Sequence, residues 1–240
     1  MTSRKLYENI VIGNFLYGLG FAVRAKKSLG PIVSVINLLQ QTPADKLLGD
    51  VLLEFPGVVR LIEFKAEDNL SNKEKMRHDA LTACLKGELE QQRISRIIHW
   101  YVETAPSESN GLDARVVPYL DAFPKAKKQD QLETFIDRIA TEVAQGRSDI
   151  TKEAAAAYLE WVRMTQGPGE VGSGGLLLLA GTDGTLRYAQ LLDMLELGLQ
   201  HQEWLIRHEK QIKRELTYQR DLNKEMEHKQ TWSRNRGMGR

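Results

Sequence analysis

Two carboxylates and one amine occupy the end of an otherwise apolar segment in the first third of the chain. Two runs rich in aliphatic residues flank Pro56-Gly57, which is typical of a β-hairpin. With these two residues in the turn, Asp50 lies directly opposite Glu63, and Lys65 shares the face of Glu63. Like charges placed opposite each other destabilise a sheet, so the pattern indicates chemistry rather than stability.

This set of side chains suits a hard divalent cation and a phosphate substrate. Magnesium is usually held by one or two protein carboxylates and keeps several waters. A cation held by Asp50 and Glu63 would act as a Lewis acid and generate the nucleophile. Lys65 would orient or activate the attacking water, or neutralise developing charge. The pattern therefore predicts hydrolysis of a phosphodiester with Mg²⁺ or Mn²⁺ as the cofactor.

The ordered set of residues resembles the PD-(D/E)XK nuclease superfamily. Asp50, a turn and then Glu63-Phe64-Lys65 on a strand match its motif, and residues 7–16 look like its leading helix. Glu8 lies in the place of a glutamate that often joins the site in that superfamily. The sequence departs from the motif at Gly49, where the family name has proline. The resemblance implies that Asp50, Glu63 and Glu8 bind the metal and that Lys65 is catalytic.

The resemblance covers about residues 1–105 and implies an α/β, restriction-endonuclease-like core, which runs helix, mixed sheet, helix, strand. The first helix is expected to end at Gly18-Leu19-Gly20. Residues 31–36 are the candidate for the first strand, although residues 36–48 also fit a helix. Residues 72–90 look like the helix that follows the lysine strand, and residues 96–102 like the next strand.

The expected activity is that of a metal-dependent nuclease that acts on DNA, in a bacterial or phage setting such as restriction, antiviral defence or recombination. That setting rests on analogy alone. A ribonuclease is an alternative, because such a metal site reads phosphate rather than sugar. A second alternative is a non-catalytic interaction protein with the same fold. A requirement for metal distinguishes the enzyme from the interaction protein.

Four basic residues are candidates for binding nucleic acid. Lys73 and Arg77 lie near the start of the helix after the lysine strand, where the resemblance implies that a basic residue can face the site. Arg234 and Arg236 lie in a basic, glycine-bearing tail that can contact phosphates; a solvated terminus is the alternative. The whole chain has a net charge of only +1, so no global basic surface is expected.

Residues 111–240 are predicted to form a mainly helical accessory region, separated from the core by the polar loop at residues 104–111. Within it, Asp183-Gly184 indicates one hairpin between residues 176–180 and 186–188. A long helix is predicted from about residue 189 to about residue 229. Its broken apolar stripe favours packing against a protein partner or a second copy of the chain.

Composition excludes several classes of protein. Cys84 is the single cysteine, which excludes an internal disulfide and clusters built on several cysteines; we expect it to be a small buried residue. No apolar run reaches the length of a membrane span. The sequence therefore predicts a soluble, cytoplasmic protein without a membrane partner.

Overall fold

A computed structural model describes residues 7–27, 30, 32–39, 48–67, 72–107, 111–125, 131–146, 150–165, 176–180 and 186–190. All of these residues belong to the compact unit Met1–Leu197. Arg234, Arg236 and nearly all of the predicted C-terminal helix lie outside the described residues. In the part of the chain that is described, no helix has both the length and the apolar character needed to cross a membrane.

The centre of the molecule is a mixed sheet. Its strands are β1 (Ile32–Leu38), β2 (Val51–Phe55), β3 (Val58–Ala66), β4 (His99–Pro106), β5 (Leu112–Pro118), β6 (Leu176–Ala180) and β7 (Leu186–Gln190). They are arranged in the order β5-β4-β3-β2-β1-β6-β7. Only β3 and β4 run parallel to each other, and every other neighbouring pair is antiparallel. The chain is therefore an α/β protein with a mixed sheet.

Helices cover both faces of this sheet. They are α1 (Glu8–Lys26), α2 (Lys73–Cys84), α3 (Leu89–Ile98), α4 (Leu132–Gln145) and α5 (Lys152–Thr165), with a short 3₁₀ helix at Tyr119–Asp121. Helices α1 and α4 share one hydrophobic core with Ile62 and Phe64 of β3. Because side chains alternate along a strand, Glu63 and Lys65 face the opposite side, where α2, α3 and α5 lie.

The predicted hairpin and its register are confirmed. Phe55 pairs with Val58 and Leu52 with Leu61, and Gly57 has the positive φ of 83° that the turn requires. Val51 pairs with Ile62, so the same register continued by one residue sets Asp50 against Glu63. Strand β1 confirms the strand predicted at residues 31–36.

Four predicted details in the first half are wrong. Helix α1 does not end at Gly18-Leu19-Gly20 but continues to Lys26. Gly18 allows close packing, since a Cβ there would meet the Ile136 side chain of α4 at 3.4 Å. The helix predicted at residues 72–90 ends at Cys84, and a separate helix, α3, begins at Leu89. The strand predicted to begin at residue 96 begins at His99, because the preceding residues complete α3. Cys84 is exposed rather than buried, because the buried side of α2 is formed by Glu74, His78 and Leu81.

The sheet continues beyond residue 105. The loop that was expected to separate two domains joins β4 to β5, which pair antiparallel, and residues of α4 belong to the same core as α1. The hairpin predicted near Asp183-Gly184 is confirmed by the pairing of β6 with β7. Strand β7 extends to Gln190, two residues beyond the predicted strand, and the rest of the helix predicted from about residue 189 lies outside the described residues.

Candidate active site

The hairpin and the parallel strand next to it bring the predicted residues together at one edge of the sheet. Asp50 precedes β2, and Glu63 and Lys65 lie near the end of β3. The two carboxylates are only 3% exposed. Carboxylates are rarely buried to this extent unless they are paired or bind a cation. The burial of both therefore needs a partner of positive charge.

Three oxygen atoms converge on the Lys65 amine. Lys65 Nζ pairs with Glu63 Oε1, donates to the Phe64 carbonyl at 3.0 Å and lies 3.7 Å from Asp50 Oδ2. All three belong to two adjacent strand ends, so the hairpin register fixes their spacing. The ammonium thus occupies a small oxygen-lined position in which a single cation is held.

Asp50 also supports the backbone of the lysine strand. Its Oδ2 accepts a hydrogen bond from the Phe64 N–H at 2.7 Å, which fixes the carboxylate relative to Glu63 and Lys65. Gly49 leaves room for the Glu63 carboxylate. It has φ of 150°, and a Cβ there would lie 3.1 Å from Glu63 Oε2. Proline, with φ near −65°, does not fit this backbone conformation.

Burial and neighbouring charges shift the pKa values of Glu63 and Lys65. Burial raises the pKa of the Glu63 carboxyl well above its usual range, and the charges of Asp50 and Glu74 raise it further. Burial lowers the pKa of the Lys65 amine, but the charges of Glu63 and Asp50 outweigh this and raise its pKa above the ordinary value. Lys65 therefore stays charged, and one ammonium leaves negative charge uncompensated.

The oxygen donors fit a hard divalent cation. Magnesium and manganese prefer carboxylate and carbonyl oxygens, and Asp50, Glu63 and the Phe64 carbonyl supply both kinds. No group of three His, Cys, Asp or Glu side chains suited to a metal is present among the described residues. Two carboxylates and a carbonyl match the sparse protein ligation that is typical of magnesium.

Glu8 lies at the same edge, although it comes from the helix on the other face of the sheet. Its Oε1 accepts a hydrogen bond from the Ala66 N–H at 3.1 Å. Its charge also helps to raise the pKa of Lys65. The first residue of α1 is thereby joined to the end of the strand that carries Glu63 and Lys65.

Sequence reasoning missed two residues of this region, Glu74 and Tyr119. Glu74 lies in the first turn of α2 and is 6% exposed. Tyr119 donates its hydroxyl hydrogen to Glu74 Oε1, with an oxygen–oxygen distance of 2.5 Å. One available signal was the spacing of Glu74, His78 and Leu81, which places all three on one helical face.

The two basic candidates on α2 have different surroundings. Lys73 is exposed at the first position of the helix. Arg77 is partly buried, and its Nη1 lies 3.4 Å from Glu74 Oε2. The structure thus brings Arg77 to the buried carboxylate of α2, whereas Lys73 faces solvent.

A second ion pair flanks the site on the neighbouring strand. Glu103 of β4 is in register with Lys65, and its Oε2 accepts a hydrogen bond from Arg115 Nε at 2.9 Å. Lys125 Nζ lies 3.1 Å from the same oxygen. Glu103 is therefore compensated by its own cations, in contrast to Glu63.

Comparison of the chain with protein-family models, with curated proteins and with solved structures finds no match.

Proposed function

We propose that the chain is a metal-dependent nuclease that hydrolyses phosphodiester bonds, with DNA as its substrate. One observation carries the proposal: Asp50, Glu63 and the Phe64 carbonyl converge on the single cation of Lys65 at a buried strand end. The order α1, β1, β2, β3, α2, α3 and β4 along the chain further supports the proposed likeness to the restriction-endonuclease-like core, with two helices where the resemblance implies one.

Asp50 and Glu63 would hold Mg²⁺ or Mn²⁺ through carboxylate oxygens, together with the Phe64 carbonyl. When bound, such an ion polarises the phosphate and lowers the pKa of water. The Lys65 amine lies among these oxygens, and an ion held by them would displace it. Its three donor hydrogens would then orient the attacking water and stabilise charge on the phosphate oxygens.

Glu8 has a supporting role in this proposal. Through Ala66 it anchors the end of β3, one residue beyond Lys65, and so limits where the amine can reach. Arg77, Lys73 and the tail residues Arg234 and Arg236 are proposed to contact phosphates of the nucleic acid. A partner or second copy that binds the C-terminal segment would supplement the modest positive charge of the chain.

The direct test is cleavage of supercoiled plasmid and of a matched RNA in Mg²⁺, Mn²⁺ or EDTA. Asp50→Asn keeps an oxygen for the Phe64 N–H but removes the charge. Glu54→Gln is the matched control, since Glu54 is a similarly buried carboxylate, 4% exposed, on the same face of the hairpin. We expect EDTA-sensitive DNA cleavage that drops by at least a hundredfold in Asp50→Asn and persists in Glu54→Gln.

Each contrary outcome has a distinct meaning. Cleavage of RNA alone would replace the proposed substrate. Equal cleavage by the native chain and Asp50→Asn would place the activity elsewhere. No cleavage of either nucleic acid, together with no binding of Mn²⁺, would favour the interaction protein.

A further inference from the structure

A buried tyrosine holds a buried carboxylate beside the candidate site. Tyr119, in the 3₁₀ helix after β5, is 2% exposed, and Glu74 of α2 is 6% exposed. Their oxygen atoms are 2.5 Å apart, with the hydroxyl as donor. A hydroxyl donor stabilises the ionised form of a carboxylate and fixes its direction. The Glu74 side chain is therefore held in place rather than left to turn to solvent.

The ring of Tyr119 is held in place by His99. It stacks on His99 of β4 with ring centroids 3.9 Å apart and planes 4° from parallel. His99 Nδ1 is 2.9 Å from the hydroxyl of Tyr158 on α5, and that hydroxyl is 2.8 Å from Ser95 Oγ. Burial lowers the pKa of His99 to about 3, so the stack remains neutral. Elements beyond residue 105 thus position Glu74.

Glu74 lies close to the candidate ligand Glu63. Tyr101 is the register partner of Glu63 on β4, and its ring centroid is 6.5 Å from that of Tyr119, which holds Glu74. The charge of Glu74 contributes, after burial and Asp50, to raising the pKa of Glu63. Arg77 offsets it only partly, because its Nη1 is 3.4 Å away and its side chain is 28% exposed. The interaction of two charges falls as the effective dielectric constant rises, so it is screened less between two buried carboxylates such as Glu63 and Glu74 than between groups in water.

We propose that Glu74, held by Tyr119, is a positioning residue whose negative charge sets the affinity of the Asp50–Glu63 site for a divalent cation. The inference rests on the proposed function. Asp50, Glu63 and Glu74 set three carboxylates against the Lys65 ammonium and the partly exposed Arg77 guanidinium, and a divalent ion would offset the negative charge that remains. Glu74 does not have to touch the ion, since its oxygen is already engaged by Tyr119.

The affinity for Mn²⁺, measured by isothermal titration calorimetry on the full-length protein with Mn²⁺ alone, tests this inference. Glu74→Gln removes the charge and is expected to weaken Mn²⁺ binding by roughly tenfold. Tyr119→Phe removes only the hydroxyl that holds Glu74 and is expected to weaken binding by a few-fold. Tyr158→Phe is the matched control, because it also removes one buried hydroxyl from the stack but does not contact Glu74; its Mn²⁺ affinity should equal that of the native chain.

Cleavage kinetics separate a positioning role from a merely structural one. In Glu74→Gln the Mn²⁺ concentration for half-maximal cleavage should rise about tenfold, while the rate at saturating Mn²⁺ stays within a few-fold of the native rate. If Glu74→Gln and Tyr119→Phe lose thermal stability but bind Mn²⁺ with native affinity, the role of Glu74 is overturned and the proposed function is left intact. Failure of the native chain to bind Mn²⁺ would overturn both.

Discussion

Asp50 Oδ2 accepts the Phe64 N–H at 2.7 Å and lies 3.7 Å from Lys65 Nζ. One oxygen atom therefore fixes the backbone of the lysine strand and faces the amine of that strand. Glu63 has no comparable backbone anchor among its described contacts; its Oε1 pairs with Lys65. At the residue scale, the two carboxylates therefore differ: Asp50 is anchored to the backbone, whereas Glu63 is held through Lys65 and has a raised pKa.

Glu63→Gln should stabilise the metal-free protein. The raised pKa of Glu63 means that the folded state binds more protons than the unfolded state above the unfolded pKa, so stability falls as pH rises through the folded pKa. Glutamine does not ionise, so the variant does not lose this stability as the pH rises. In EDTA at pH 8, we expect the Tm of Glu63→Gln to exceed that of the native chain by a few degrees and its dependence on pH to be flatter.

Glu103→Gln is the control for that experiment, because it should change stability in the opposite direction. Glu103 compensates the buried Arg115, so its loss should lower stability by about 2 kcal/mol. Thermal melts of both variants, run side by side, check the signs. A lower Tm for Glu63→Gln than for the native chain would show that Glu63 is a stabilising partner of Lys65 rather than a strained ligand.

At the scale of elements, α1 packs on β3 through a shared apolar core, and a hydrogen bond from the Ala66 N–H to Glu8 joins their ends. The helix lies on the face opposite the carboxylates, and its first residue reaches the end of the strand. This geometry makes Glu8 a support for the strand end that carries Lys65. The superfamily resemblance, in contrast, implies that Glu8 binds the metal.

Two substitutions of Glu8 distinguish these roles. Glu8→Gln retains an oxygen acceptor for Ala66 and should cleave within a few-fold of the native rate. Glu8→Ala loses the hydrogen bond, which contributes about 1 kcal/mol, and should cleave roughly tenfold more slowly. Cleavage rates at saturating Mg²⁺ check this order. Equal loss in both variants would instead indicate that the charge of Glu8 is needed at the metal.

Helix α2 shows why an apolar pattern can mislead at the level of an element. Cys84, which was predicted to be buried, is exposed, and Met76 on the same helix is 70% exposed. The helix turns Glu74 and His78 inward because it covers a strand end that is itself charged. Polar partners such as Tyr119 and the Leu120 carbonyl, which lies 3.1 Å from His78 Nε2, make that burial possible.

For the molecule as a whole, local signals predicted the parts of the site that neighbouring residues determine. Pro56-Gly57 and strand alternation were sufficient for the opposition of Asp50 and Glu63. The contact of Glu74 with Tyr119 joins residues 45 positions apart, and it depends on how β5 leaves the sheet. Likewise, no local pattern places β6 beside β1, where Val33 pairs with Leu179.

The most direct measurement compares the native chain with Lys65→Ala, in both Mn²⁺ binding and DNA cleavage. The alanine variant keeps Asp50 and Glu63 but lacks the amine that occupies the space between them. We predict that it binds Mn²⁺ at least as tightly as the native chain and cleaves DNA roughly 10²- to 10⁴-fold more slowly. Native cleavage by Lys65→Ala, or loss of its Mn²⁺ binding, would contradict the assignment of Asp50 and Glu63 as ligands and Lys65 as the catalytic group.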